Sequence, residues 1–230
     1  MFSNFDSSMD WVKECLKNVF LPLKSFFDIF SNPWISFSCV SFVFVLFLIY
    51  SILKNSNDFK KHMSKARSLA ICSLLIALNI VLGYFTLPFS TYLRVGFGFV
   101  TQPIVALMFG PLTACVTGMM QDIISLLINP VLGGPYNPTY TISVGIAGMI
   151  YGLMLYNKPV GAVRVFLTKL IVIVFANIVL NSIALAPTVG SGLIGILPSR
   201  IIKNLIMLPI QTIVVYIILK FVKKIVKVSV

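Results

Sequence analysis

Six polar side chains fall in otherwise apolar surroundings: Arg94, Asp122, Asn177, Asn181, Arg200 and Lys203. Such groups are costly away from water, so each raises a question of function. Arginine grips a carboxylate with two parallel hydrogen bonds, and lysine adds a point charge. A carboxylate such as Asp122 can accept from the amino and ring N–H groups of a heterocycle. Asn177 and Asn181, four apart, share one helix face. Phe97, Tyr136 and Tyr140 offer flat surfaces for stacking. Both tyrosines belong to 129–140, Asn-Pro-Val-Leu-Gly-Gly-Pro-Tyr-Asn-Pro-Thr-Tyr. Its prolines and the pair Gly133-Gly134 forbid a continuous helix and fix a turned loop. Together these residue types suit a flat, anionic small molecule with the loop closing over it. The plainer alternatives are a simple turn between two helices and a structural, basic partner for Asp122.

Other chemistries are poorly supplied. His62 is the single histidine, and it lies in a basic stretch. Cys15, Cys39, Cys72 and Cys115 have no CxxC or other metal spacing, so they read as small packing residues. No metal site, no cofactor and no base beside a Ser or Cys nucleophile are expected. There is no Walker A sequence and no second intramembrane acid for a proton relay, so the chain cannot power transport by itself.

Composition sets the frame that must position these groups. Of the 230 residues, 58% are hydrophobic and 10% charged, against roughly 25% charged in soluble domains. With a mean hydropathy of +1.00, the chain reads as an all-α integral membrane protein. The net charge of +12 sits at the ends of apolar runs, which points to topology and lipid headgroups rather than to nucleic acid.

Residues 1–34 place Trp11, Cys15, Leu16 and Val19 at helical spacing, an amphipathic segment for a membrane surface, or else a loose tail. Residues 35–54 form a first span. The basic stretch 55–65 then reads as a cytoplasmic linker under the positive-inside rule. Further apolar runs cover 69–85, 99–109, 112–128, 141–156, 165–185 and 199–220. They are separated by an irregular segment at 86–98, the Gly110-Pro111 turn, the opening loop, a basic turn at 157–164 and a Gly/Ser/Pro loop at 187–198. Lys169, near an end of its run, is expected to snorkel to the headgroups. In this topology Arg94, Arg200 and Lys203 gather on the outer side with the 129–140 loop, where cations are normally scarce. Ala66, Ala70, Ser73 and Ala77 repeat at three or four residues and allow close approach of another helix.

At this point the residues resemble a known family. The run 133–143, Gly-Gly-Pro-Tyr-Asn-Pro-Thr-Tyr-Thr-Ile-Ser, followed by Gly148-Met149-Ile150-Tyr151-Gly152, is similar to the loop and helix of the folate-specific substrate-binding S components (FolT family) of energy-coupling factor, ECF, vitamin transporters. Leu-Arg-Val-Gly-Phe-Gly-Phe at 93–99, Phe109-Gly110-Pro111 and Pro-Ser-Arg-Ile-Ile-Lys-Asn from Pro198 resemble further parts of that family. The resemblance implies a six-helix bundle over 66–230, preceded here by one extra N-terminal transmembrane helix. It implies a multi-pass protein of the cell membrane that binds folate at the outer face and is not an enzyme. It also implies partners, a membrane coupling protein and two cytoplasmic ATPases, with the coupling protein meeting the helix that carries Ala66 and Ala70.

The ligand-binding set expected on this reading is Arg94, Phe97, Asp122, Gly134, Tyr136, Tyr140, Asn177, Arg200 and Lys203. An S component for another vitamin is the nearest rival. An intramembrane enzyme acting on lipids is a rival of another class, but it would need facing catalytic groups that Asp122 and His62 do not supply.

Overall fold

The computed structural model describes residues 32–85, 87–90, 93–95, 98–128, 136–189 and 193–228. Most of the N-terminal amphipathic segment, together with Phe97, Gly134 and most of the 129–140 loop, lies outside them. The helices are α1 Pro33–Met63, α2 Ala66–Tyr84, α3 Thr101–Ile128, α4 Pro138–Leu155, α5 Ala162–Ile171, α6 Asn181–Val189 and α7 Leu193–Val228. A 3-10 turn, Gly98–Val100, leads into α3, and a π-helical stretch, Val172–Leu180, joins α5 to α6.

Among the described residues, six helical segments are long and apolar enough to cross a membrane: Pro33–Met63, Ala66–Gly83, Pro111–Ile128, Pro138–Leu155, Ala162–Pro187 and Arg200–Ile225. The protein is therefore a helical membrane protein. The apolar stretch Gly98–Phe109, expected to span, is shorter than the roughly 17–25 residues a span needs. The segment expected to be irregular contains a small antiparallel hairpin, β1 Leu87–Ser90 with β2 Leu93–Val95. Pro88 is tolerated there because a two-stranded ribbon consists only of edges.

Helix starts follow local chemistry. Asn32 and Asn137 each precede a proline at the first helical position. Each accepts a bond from a backbone N–H two residues on, Trp34 at 3.2 Å and Thr139 at 3.0 Å. The second Asn-Pro thus opens α4 three residues earlier than the loop reading placed it. The helix α1 runs on through the basic stretch, after a non-helical residue at Asn55.

Gly110, at φ +86°, breaks α3 before Pro111, as the Gly-Pro pair predicts. The two halves double back. Gln102 and Gly118 would stand about 24 Å apart on a straight helix. Yet a Cβ on Gly118 would meet the Gln102 amide nitrogen at 2.6 Å. The helix α3 as a whole makes its most extensive interface with α4. Glycines permit this approach. A Cβ on Gly152 would run into the Pro111 backbone, and one on Gly148 into the Ala114 carbonyl. The core gathers Val40, Leu75, Ile104, Phe109, Ile146, Ile150, Val172, Val215 and Leu219. Large apolar side chains such as Leu53, Leu74, Leu127, Leu205 and Phe221 face outward, as a lipid-facing surface requires.

The helix α1 packs against α3, α4 and α6. Near its start, buried Ser36 donates to the Ile183 carbonyl at 2.8 Å. That carbonyl lacks the usual helical donor because Pro187, four residues on, has no N–H. At the far end His62 lies 3.4 Å from the Tyr156 hydroxyl and edge-on to Phe109. Burial and the nearby Asp58 carboxylate push the Tyr156 phenol above its usual range, so it stays a neutral hydroxyl there.

Candidate ligand-binding site

A cavity of about 130 Å³ lies between α3, α4 and the α5–α6 rod. Phe99 and Gln102 line it from the first half of α3 and the turn before it. Ser143, Val144, Ala147 and Tyr151 line it from α4, and Lys169, Val172, Ala176, Asn177 and Asn181 from the rod. Gln102 is held by donating to the Val144 carbonyl at 2.8 Å. Ser143 donates to the Thr139 carbonyl at 2.8 Å. The Asn181 side-chain oxygen is buried with no hydrogen-bond partner. A buried acceptor left open in this way needs a donor from elsewhere.

Of the site residues expected from sequence, Asn177 lines this cavity. Arg200 stands beside it, its guanidinium 3.4 Å from the Asn181 carbonyl and 3.4 Å from the Ser182 hydroxyl. Tyr140 and Lys203 are close enough to Arg200 to interact electrostatically. Arg200 is thus tied to Asn181, a residue of the cavity lining, and Tyr140 and Lys203 interact with Arg200. Asp122 is elsewhere: it accepts from the Thr141 hydroxyl at 2.6 Å and is not among the lining residues. Its partner is a neutral hydroxyl, not the basic residue offered as its structural alternative. Tyr136 is 59% exposed. Arg94 lies in β2 with its backbone paired to Pro88. Phe97 and Gly134 lie outside the described residues.

Lys169 does not snorkel. It is 3% exposed, donates to the Tyr151 hydroxyl at 3.0 Å and sits 5.0 Å from the centre of the Phe99 ring. Its position explains the difference. With α5 starting at Ala162, Lys169 is seven residues, about 10 Å, inside the rod. The polar tyrosine that meets it comes from another helix. Gln102, Ser143 and Tyr151 were likewise missed. The available signal was the isolation of each polar group within an apolar run, the signal that had singled out Asp122 and Asn177.

The sequence matches the substrate-specific component of ECF transporters over residues 67–219. The chain belongs to that family. As an ECF substrate-specific component it is a multi-pass membrane transport protein and not an enzyme. It is 34% identical over 154 residues to a folate transporter, FolT, of Clostridium novyi, a match covering 67% of this chain and 88% of the relative. It is 32% identical over 160 residues to a folate transporter, FolT, of Leuconostoc mesenteroides, covering 66% of this chain and 84% of that one. A crystal structure of FolT bound with folic acid superimposes with a TM-score of 0.61 at 32% identity, covering 66% of this chain and 92% of the other. The cavity-lining residues and Arg200 fall inside the matched region.

Proposed function

We propose that this substrate-specific component binds folate and delivers it to an ECF module for uptake. The observation that carries the reading is the cluster of Arg200, Lys203 and Tyr140 beside the cavity lined by Asn177 and Asn181. A folate presents a flat ring to a cavity and two carboxylates to cations. The names of both curated relatives and the folic acid in the related crystal structure support the choice of vitamin. On the positive-inside assignment, the Arg200 end faces outward and the basic ends of α1 and α7 face the cytoplasm.

In this reading the substrate-binding domain is 66–230. Its six helices are α2, the short Gly98–Phe109 stretch, Pro111–Ile128, α4, the α5–α6 rod and α7. The first span, expected at 35–54 and helical from Pro33 to Met63, is an additional N-terminal span, with 55–65 as its basic cytoplasmic end. The partners are a membrane coupling protein, met through the exposed α2 positions Ala66 and Ala70, and two cytoplasmic ATPases. Small residues on an exposed helix face suit that docking.

The test is purification in detergent without added ligand, followed by an absorbance spectrum for co-purified folate and calorimetric titration with a panel of vitamins. Tight folate binding without ATP is expected, because cavity and cations lie within this one chain. A folded protein that binds another vitamin and no folate would refute the choice of ligand.

A further inference from the structure

The cytoplasmic end of α7 carries two rows of side chains that the vitamin site does not use. Tyr216, Lys220 and Lys224 recur every four residues, and so do Ile213, Ile217, Phe221 and Ile225. Side chains four apart stand one above the other on a helix, so each row is a continuous stripe. The apolar stripe is about 18 Å long. Its side chains are between 53% and 66% exposed, which turns them toward lipid. An open groove of about 540 Å³ takes in both stripes, lined among the described residues by Tyr216, Ile217, Ile218, Lys220, Phe221 and Lys224.

The two lysines of the groove are exposed. The Lys220 ammonium lies 5.9 Å from the centre of the Tyr216 ring, a neutral partner. The acidic side chains among the described residues are Asp58 and Asp122. Asp58 stands beside Tyr156 and Asp122 accepts from Thr141, and no ion pair joins either to Lys220 or Lys224. Neighbouring cations are used by the protein itself. Lys223 donates to the Lys158 carbonyl at 2.9 Å and ties α7 to the turn before α5. Lys158 donates to the Leu153 carbonyl at 2.8 Å, in the last turn of α4.

The groove therefore combines an apolar stripe with two open cationic heads at its cytoplasmic end. Lysine stems can lie along apolar surface while their heads rise to headgroup level. A neutral lipid would cover Ile217 and Phe221 but leave both charges unmet. A soluble phosphate would meet the charges but leave the apolar stripe bare. A diacyl lipid with an anionic headgroup satisfies both. We infer that α7 carries a site for one anionic phospholipid of the cytoplasmic leaflet, its phosphate held by Lys220 and Lys224 and an acyl chain lying along Phe221, Ile217 and Ile213. The two lysines are one helical turn apart, so both can reach a single phosphate. The inference rests on the cytoplasmic placement of this end of α7 and is independent of which vitamin is carried.

The test is native mass spectrometry of detergent-purified, delipidated protein incubated with equal amounts of phosphatidylglycerol and phosphatidylcholine, with thermal unfolding as the check on folding. Wild type should take up one phosphatidylglycerol in preference to phosphatidylcholine. Lys220→Gln with Lys224→Gln should lower the affinity for phosphatidylglycerol roughly twenty- to thirtyfold, about fivefold for each lysine at a membrane surface. Lys158→Gln with Lys223→Gln removes the same two charges from the same end of the protein and should leave that affinity in place. So should Lys220→Arg with Lys224→Arg. Equal losses in the two glutamine pairs would reduce the site to general surface charge and overturn the proposal. Unchanged affinity in the Lys220 and Lys224 pair would put the lipid elsewhere and leave the groove to a protein partner, which also overturns it. Wild type with no preference for phosphatidylglycerol would leave only an apolar groove, and full competition by glycerol 3-phosphate would make it a free-phosphate site; either result refutes the lipid. Should the Lys220 and Lys224 pair not fold, Lys224→Gln against Lys223→Gln decides by the same comparison.

Discussion

Two serines on α1 provide a matched pair in which the same substitution should act in opposite directions. Ser36 and Ser51 are 1% and 0% exposed. Ser36 donates to the Ile183 carbonyl that Pro187 leaves without its usual helical donor. Ser51 carries a buried hydroxyl with no partner at all. Ser36→Ala strands a carbonyl in a dry environment, at a cost of about 1–3 kcal/mol. For a chain of 150–250 residues each kcal/mol moves the melting temperature by about 2–4 °C, so a fall of roughly 2–12 °C is expected. Ser51→Ala removes an unsatisfied hydroxyl, which mutational data value at about 1–3 kcal/mol, so the melting temperature should hold or rise. Ser36→Thr, which keeps the hydroxyl, should recover part of the loss. The assay is thermal unfolding in one detergent, with folic acid binding as the check on folding. If Ser51→Ala melts as low as Ser36→Ala, the roles given to the two hydroxyls are wrong.

Further expectations follow from the site and its supports. Arg200→Ala should weaken folic acid about ten- to a hundredfold and leave a pterin lacking the glutamate nearly unaffected, read by paired titrations; equal losses would remove Arg200 from the carboxylate end. Asp122→Asn keeps an oxygen to accept from Thr141 and lies off the cavity lining, so folic acid affinity should change less than tenfold, and a larger loss would return Asp122 to the site. Gly152→Ala forces a Cβ into the Pro111 backbone and should cost about 1–3 kcal/mol or more, whereas Gly83→Ala meets nothing within 4 Å and should be neutral or stabilising in a melting experiment. Deleting residues 1–54 should lower the melting temperature through loss of the Ser36 bond and the Val40 packing. Folic acid binding should survive the deletion, because every cavity-lining residue falls between Phe99 and Asn181.

Much of this was legible in the sequence because the signals were local. The Gly110-Pro111 break, the run lengths and the amide pair at 177 and 181 depend on neighbours a few residues away. The features that were missed depend on partners far along the chain. Thr141 comes to Asp122 from nineteen residues on, and Tyr151 meets Lys169 from the preceding helix. Whether a lysine snorkels or turns inward depends on its depth, and depth required knowing that α5 begins at Ala162. The hairpin at 87–95 was hidden by its proline, which read as a breaker when it marked an edge strand. Asn137-Pro138 read as loop because the same two residue types open a helix and interrupt one.

The seam between α4 and the second half of α3 also bears on motion. Where glycines at 148 and 152 let backbones touch, there is no slack for one helix to slide past the other. The opposite side of the cavity is the π-helical stretch Val172–Leu180, a rare geometry that recurs at functional sites. The cavity thus lies between a wall packed backbone to backbone and a wall of π-helical turns. Any adjustment to a ligand is expected in the turns around Val172, Ala176 and Asn177 rather than along the glycine seam. Amide exchange should record the asymmetry as slow protons along the α4 seam and faster ones across the cavity, the latter slowing when the site is filled.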